Sequence, residues 1–309
     1  MPDNFTIRAG GPEDIAGMVA IQKEIYSEYK RDAAFFRWQC FANPNPAVIV
    51  IAEHAGRVVG TLGIQRLRTT GGLSGGQLSW IVIAKDHQRH GLFGMMAGRA
   101  IESMPGLDFI FIFANKAAVV PAEKKLGMAF IGRLHHMVRG PAGPLAAVTY
   151  DLEPVDSRTA FPLNGLSGRP TTFARTDAYR SWRYAGSSVY RYFKVSVSDS
   201  EYAVVKLFTT PASRDITGDI VDIECDIRDR DAIEKLYAAA SFALTTMGAS
   251  AVSTWAVPGT TLRRTIEDMG FSQSGHCSHF GIKLLGVCGN DPLDAFERWH
   301  LVQSDASNY

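Results

Sequence analysis

Short apolar runs and segments of helical periodicity alternate along the first half of the chain. After Pro12, apolar residues such as Ile15 and Met18 recur near a 3.6-residue period, which predicts an amphipathic helix. Residues 107–114 (LDFIFIFA) are too apolar and too few for a surface helix, so they predict a buried strand. Other strands are predicted at residues 5–8, 48–53, 57–65, 77–83 and around 135–136, and other helices at residues 95–103 and 116–126. The predicted order is strand, helix, three strands, helix, strand, helix, strand.

Landmarks of the first half recur in the second half at matching spacing. Trp38 precedes Gly127 by 89 residues, and Trp182 precedes Gly270 by 88 residues. Between these landmarks, a strand at 251–257 and a helix at 261–269 correspond to the strand at 109–114 and the helix that follows it. Because several landmarks agree in order as well as in spacing, the sequence predicts two similar α/β units in tandem.

The segment Gln88-Arg89-His90-Gly91-Leu92-Phe93-Gly94 lies between a predicted strand and a predicted helix. A glycine-bearing basic loop at a helix N-terminus presents unpaired backbone N–H groups and the positive end of the helix dipole, which suits a phosphate or pyrophosphate. At the corresponding place the second half has Asp226-Ile227-Arg228-Asp229-Arg230-Asp231, without glycine and with three acidic residues. We therefore expect a phosphate site in the first unit and none in the second.

This loop resembles the pyrophosphate loop of the GNAT acyltransferases, whose pattern is Gln/Arg-x-x-Gly-x-Gly/Ala. Gln88 and Gly91 occupy the first two defined positions, whereas Phe93 occupies the third and Gly94 follows one place late. The segment Lys125-Leu126-Gly127-Met128 is also similar to the family's helix ending. The resemblance implies an α/β (α+β) fold of two tandem GNAT-like units, each a mixed, mostly antiparallel sheet flanked by helices.

The resemblance and a segment rich in proline, glycine and serine near residues 140–167 set the expected domain boundaries. They are a GNAT acyl-CoA-binding domain at 1–145, a linker at 146–168, a degenerate GNAT-like domain at 169–290, and a C-terminal helix and tail at 291–309. Within the tail, residues 292–302 predict the short helix and the remainder a frayed polar end.

In the resemblance, acetyl-CoA is the cofactor, and the strand before the loop pairs through its main chain with the pantetheine arm and the acetyl carbonyl. The loop holds the pyrophosphate. Carried over by position, the cofactor-binding residues are Ile81, Val82, Ile83, Gln88, Arg89, His90, Gly91, Leu92, Phe93, Gly94 and Met95.

Candidate catalytic residues are Ser79, Asn115 and His136. Family members often carry a carboxylate base on the strand before the loop, where this chain has Gln77 and Ser79, so a water chain through Ser79 is one alternative. Asn115 matches a family position that often contacts CoA, although asparagine also favours helix N-caps. His136, on the last strand of the first half, suits general-base work near neutral pH or is a half-buried strand residue. No metal site is expected, since His276 and Cys277 point to opposite faces of a strand.

Arg183, Tyr190 and Trp182 are the candidate substrate-binding residues. An arginine flanked by aromatic rings can hold a carboxylate or phosphate, or stack on a sugar face. Core packing is the alternative role, above all for Trp182. Phe36-Arg37-Trp38 followed by Asn43-Pro44, together with residues 177–184, resembles a subset of tandem GNAT proteins associated with bacterial polysaccharide or cell-envelope pathways, which favours an amino sugar or nucleotide sugar as the acceptor.

Composition restricts the functional class. The chain has 309 residues, 46% of them hydrophobic and 20% charged, which fits two globular domains. A formal net charge of +1 gives no indication of a nucleic-acid partner, and no apolar run reaches the length of a membrane span. Four cysteines without metal-type spacing predict reduced thiols in a cytoplasmic protein. We expect a monomer or a homodimer.

The leading hypothesis is an acetyl-CoA-dependent N-acyltransferase that moves an acetyl group directly to a primary amine of a small molecule. Cys40 lies far before the cofactor strand, so no covalent nucleophile is expected. One alternative is an aminoacyl transferase of the peptidoglycan-bridge type, against which the near-zero net charge argues because such proteins use tRNA. The other alternative is a non-catalytic CoA-binding or scaffold protein.

Overall fold

The computed structural model describes residues 4–26, 31–140, 148–163, 171–209, 215–286 and 293–306. The chain divides into two compact units, which are described separately. Unit 1 comprises Met1–Ile131 and His279–Pro292, and unit 2 comprises Gly132–Ser278 and Leu293–Tyr309. The last strand therefore contributes its C-terminal residues to unit 1, an exchange that the boundaries predicted from the sequence do not include.

The helices and strands follow the predicted order twice, with one additional short helix, Ala33–Phe36, in the first set. The first set is β1 Thr6–Ala9, α1 Ile15–Ile25, α2 Ala33–Phe36, β2 Ala47–His54, β3 Arg57–Arg68, β4 Ser74–Ile83, α3 Leu92–Glu102, β5 Phe109–Ala114, α4 Lys116–Leu126 and β6 Ala129–Arg139. The second set is β7 Asp151–Pro154, α5 Asp177–Arg180, β8 Tyr192–Ser196, β9 Tyr202–Thr209, β10 Ile216–Glu224, α6 Arg230–Thr246, β11 Ala251–Trp255, α7 Thr261–Asp268 and β12 Ser272–Leu284.

The sheet of unit 1 has the order β1-β2-β3-β4-β5-β12. Strands β1 to β4 form an antiparallel meander, β5 joins β4 in parallel, and residues 279–284 of β12 pair antiparallel with β5. Alternation along β3 sends Leu62 and Ile64 into the same apolar core as Met96 and Ala97 of α3. Burial of this continuous apolar face is the main stabilising contribution to the unit.

The sheet of unit 2 has the order β6-β11-β10-β9-β8-β7. Strand β10 pairs antiparallel with β9 and parallel with β11, as β4 does with β3 and β5. In both units a four-residue α-helix passes directly into five residues of π-helix, Arg37–Phe41 after α2 and Ser181–Ala185 after α5. The tandem α/β architecture predicted from the sequence is thus confirmed, with each sheet mixed and mostly antiparallel.

Two stretches differ from the local prediction. Residues 146–168, expected as a linker, include β7, an edge strand that pairs with β8. The helix expected at 292–302 is not formed by its described residues, which contain only one 3-10 turn at Phe296–Arg298. The reason is tertiary, because Trp299 and Leu301 are buried and the strand-like pairing of Trp299 with Thr171 extends the backbone.

Among the described residues, no helix combines the length and the apolar character needed to span a membrane. Within the same residues, no three histidine, cysteine, aspartate or glutamate side chains are arranged to hold a metal ion.

Candidate active site

Strands β4 and β5 separate after a short parallel contact. Gly75, Gly76 and Gln77 pair with the first three residues of β5, and the rest of β4 has no partner among the described residues of that strand. A bulge between β3 and β4 lies just beyond this point, where Trp80 adopts a left-handed conformation with φ of 54°. The divergence leaves main-chain groups of the C-terminal half of β4, including those of Ile81 to Ile83, on the side of the opening.

The loop that follows β4 ends in a left-handed glycine. Gly91 is the N-cap of α3, with φ of 80° and ψ of 1°, and no side chain caps this helix. A Cβ placed on Gly91 would meet no atom within 4 Å, so the space in front of the cap is open. The first backbone N–H groups of α3 have no intrahelical acceptor, and they face the same space as the positive end of the helix dipole.

Leu92, Phe93 and Gly94 form the first turn of α3, which the sequence prediction had assigned to the loop. The helix begins earlier because the left-handed conformation of Gly91 ends the loop there. The predicted cofactor-binding residues therefore lie in one continuous path from β4 through an exposed loop into a helix N-terminus.

Positive charge and aromatic rings surround this path. Lys125 of α4 packs beside the first turn of α3, since a Cβ on Gly94 would lie 3.7 Å from the Cβ of Lys125. Arg89 is exposed in the loop and has φ of 71°. The rings of His54 and His87 lie 5.3 Å apart between centroids, and both contact Phe5. The sequence named Lys125 only as part of a helix ending and did not indicate these two histidines as site residues, because they come from elements distant in sequence or from outside the motif.

The predicted catalytic residues of unit 1 lie on β4 and at the start of α4. Ser79 is buried and lies opposite Gly63 of β3. Asn115 is the N-cap of α4, where its Oδ1 accepts a hydrogen bond from the backbone N–H of Ala118 at 3.0 Å. The N-cap alternative for Asn115 is therefore realised, and its contact with CoA stays a prediction.

No titratable side chain replaces the missing carboxylate on β4. The Gln77 side chain instead accepts a hydrogen bond from Gln65, which accepts one from Asn43 at 2.7 Å. Cys40 is buried, and burial raises the pKa of its thiol, so a thiolate is scarce at neutral pH. Neither group supplies a general base or a nucleophile.

His136 lies in unit 2, where its ring is 5.8 Å from that of Trp255 and 6.3 Å from that of His276. Burial lowers the pKa of His136, with a further decrease from His276 and an opposing increase from Asp219. The imidazole is consequently neutral and able to accept a proton at neutral pH. Its catalytic role stays a prediction.

The lowered pKa of His136 predicts a pH-dependent stability. The unfolded imidazole has a pKa near 6.5, above the folded value, so unfolding takes up a proton and stability is lost as the pH falls below about 6.5. We expect His136→Gln to lose less stability than the wild type between pH 7.5 and pH 5.5. Urea midpoints at the two pH values measure this difference, and an equal loss in both proteins would contradict it.

The predicted substrate-binding residues lie in a buried polar cluster of unit 2. Arg183 is 1% exposed and donates to the backbone carbonyl of Ala306 at 2.6 Å. Trp182 is also buried, and Tyr190 covers the ammonium of Lys206 at 3.6 Å from its ring centroid. These contacts give each side chain a structural partner, and substrate binding by them stays a prediction.

The C-terminal segment 301–306 fills the opening in unit 2 where β10 and β11 diverge. Their parallel pairing ends at Asp219 and Ser253. Gln303 donates to the hydroxyl of Ser253 at 3.2 Å, and Asp305 accepts from Arg175 at 2.7 Å. All six residues of the segment are buried. The opening that β4 and β5 leave in unit 1 is therefore closed in unit 2 by the chain itself.

The helix N-terminus that corresponds to α3 is also closed in unit 2. Asp229 is the N-cap of α6, and its carboxylate accepts from the backbone N–H groups of Asp231 and Ala232 at 2.9 and 3.4 Å. An anion would meet a carboxylate here instead of unpaired N–H groups.

Comparisons with known proteins agree with this geometry. Residues 15–128 match the family described as "Acetyltransferase (GNAT) family". This match spans α1 to α4 and includes the opening and the helix N-terminus of unit 1. No curated protein sequence matches the chain.

Three solved structures illustrate the similarity of fold. A GCN5-related N-acetyltransferase from Anabaena variabilis has a TM-score of 0.66 at 11% identity and covers 92% of this chain and 74% of its own. A tandem GNAT protein from the clavulanic acid biosynthesis pathway has a TM-score of 0.58 at 14% identity, and the match covers 92% of this chain and 99% of that protein. N-myristoyltransferase of Saccharomyces cerevisiae, with bound myristoyl-CoA, has a TM-score of 0.62 at 11% identity, and the match covers 90% of this chain and 78% of that protein. At these identities the similarity establishes the fold and nothing further.

Proposed function

We propose that this chain, whose residues 15–128 match the GNAT acetyltransferase family, is an acetyl-CoA-dependent N-acyltransferase that moves an acetyl group directly to a primary amine of a small molecule. The observation that carries this proposal is the arrangement in unit 1. There, β4 diverges from β5 after Gln77 and leads into an α3 N-terminus that Gly91 leaves open.

The residues of unit 1 fit acetyl-CoA. The uncapped first turn of α3 offers backbone N–H groups to a pyrophosphate, and the exposed cation of Arg89 adds charge of the right sign. Residues Ile81 to Ile83 lie where β4 still pairs with β3 but no longer pairs with β5, so main-chain groups on the β5 side can pair with an extended pantetheine chain. Unit 2 offers neither feature, which supports one cofactor site per chain.

When bound, acetyl-CoA supplies the acyl group as an activated thioester. The chain would hold the two reacting groups together and direct main-chain N–H groups of β4 at the acyl oxygen, which stabilises developing negative charge. Ser79 can pass a proton from the attacking amine to water. Direct transfer is favoured over a covalent acyl-enzyme because Cys40 is buried with a raised pKa.

The acceptor class follows from the sequence resemblance, so amino sugars and nucleotide sugars are the first amines to test. The protein should release free CoA thiol from acetyl-CoA at a rate that depends on a primary amine, measured with a thiol reagent against a panel that includes glucosamine, a polyamine and amino acids. The rate should rise with pH as the amine loses its proton. Saturable acetyl-CoA binding without turnover of any amine would instead favour the non-catalytic CoA-binding alternative.

A further inference from the structure

A threonine of β3 holds the backbone of β4 at the bulge. The hydroxyl of Thr61 donates to the carbonyl oxygen of Trp80 at 2.8 Å, and Thr61 is 2% exposed. The register shift between Thr61 and Gly63 places two residues of β4, Trp80 and Ile81, opposite one residue of β3. This hydrogen bond therefore replaces ladder pairing at the point where the ladder is interrupted.

The packing of the Trp80 ring also restrains the backbone of β4 at the bulge. Trp80 is a bulky residue with φ of 54°, a conformation that its surroundings must enforce. Its ring fills the space above Gly63, where any Cβ would collide with it, and it is 4% exposed. The absence of a side chain at Gly63 and the hydroxyl of Thr61 thus hold Trp80 in the left-handed conformation.

Because the peptide bond is planar, the hydrogen bond to the Trp80 carbonyl also fixes the direction of the Ile81 N–H. In a trans peptide the carbonyl oxygen of Trp80 and the N–H of Ile81 point to opposite sides of the same plane. Because Thr61 belongs to β3, the carbonyl points toward β3, and the N–H of Ile81 points toward the side of β5. On that side β4 has lost its pairing with β5, so the N–H faces the opening.

We propose that Thr61 is a positioning residue that aims the Ile81 amide at the acyl carbonyl of the bound thioester. This inference rests on the proposed function. A hydrogen bond from Ile81 would polarise the thioester carbonyl and would be available to acetyl-CoA but not to CoA, which has no acyl group. Thr61 would thus act on the reaction through the Ile81 amide without touching the substrate.

The test compares Thr61→Val, which removes the hydroxyl at nearly constant shape, with Thr61→Ser, which keeps it. Thr69→Val is the matched control, because Thr69 is equally buried and its hydroxyl accepts from the backbone N–H of Leu73 at the far end of β3. Isothermal titration gives the ratio of the CoA and acetyl-CoA dissociation constants for each protein. Infrared difference spectra with acetyl-CoA labelled with ¹³C at the carbonyl give the position of the thioester band.

In the wild type, Thr61→Ser and Thr69→Val, we expect the carbonyl band below its position in solution and a preference for acetyl-CoA over CoA. In Thr61→Val the band should return toward the solution position, and the preference should fall about three- to tenfold, as expected for one hydrogen bond. An unchanged band and preference in Thr61→Val would overturn the inference and leave the proposed function intact. A wild type that binds neither CoA nor acetyl-CoA would overturn both.

Discussion

Replacement of Gly91 by aspartate is expected to raise the dissociation constant for CoA about 100-fold or more while unit 1 stays folded. A Cβ at this position meets no atom within 4 Å, and the left-handed φ of 80° costs an aspartate about 1–2 kcal/mol. The carboxylate would lie at the point on which the N–H groups of α3 converge. It would repel the pyrophosphate and would itself occupy the helix N-terminus.

Gly72→Asp is the matched control for this variant. Gly72 has φ of 89°, it also has open space around a Cβ, and it lies in the turn before β4, at the opposite end of that strand from the loop. The two variants should show similar losses of thermal stability, but isothermal titration with CoA should detect weakened binding in Gly91→Asp alone. Equal binding by both would mean that the α3 N-terminus does not hold the phosphates.

The variant Gly91→Asn distinguishes the effect of the charge on CoA binding from the effect of side-chain size. Asparagine has nearly the shape of aspartate and tolerates the left-handed conformation, but it carries no charge. We expect its loss of CoA affinity to be intermediate, and the further loss in Gly91→Asp should shrink as salt is added because it is electrostatic. A loss that is the same in both variants and independent of salt would indicate a steric cause.

Local patterns were sufficient to predict most of the strands and helices. The turn at His54-Ala55-Gly56 correctly predicted the hairpin of β2 and β3, and the unbroken apolar run of β5 correctly predicted a buried strand. The error at α3 was one of boundary, because three residues that begin the helix do not differ in composition from a loop. Only the left-handed conformation of Gly91 determines where the helix begins.

Features that depend on distant pairing were not predictable. Residues 279–284 of β12 pair with β5 of unit 1, although most of their sequence neighbours belong to unit 2. The polar composition of 303–306 predicted a frayed tail, but Gln303 and Asp305 are buried through partners on β11 and through Arg175. Arg175 and Asp305 are 130 residues apart, and no periodicity or spacing rule connects them.

Replacement of Arg175 by leucine is expected to destabilise unit 2 strongly. Its guanidinium lies 3.3 Å from the carboxylate of Asp222 and 2.7 Å from that of Asp305, and all three side chains are buried. Burial alone would lower the pKa of Arg175, but the two carboxylates outweigh it and raise the pKa, so the guanidinium stays charged. Its loss would leave two carboxylates without their shared cation, at a cost of about 3–5 kcal/mol in the free energy of unfolding.

Urea unfolding followed by fluorescence tests this expectation, with Arg158→Leu as the control. Arg158 also pairs with an aspartate, at 3.2 Å from Asp156, but the pair is exposed, so its removal should leave the midpoint unchanged within error. Adding Asp305→Asn to Arg175→Leu should recover part of the loss, because it removes one stranded charge and keeps an acceptor for the backbone N–H of Val302. If Arg175→Leu lost no more stability than Arg158→Leu, the ion pairs of Arg175 would not be what holds the C-terminal segment in the opening of unit 2.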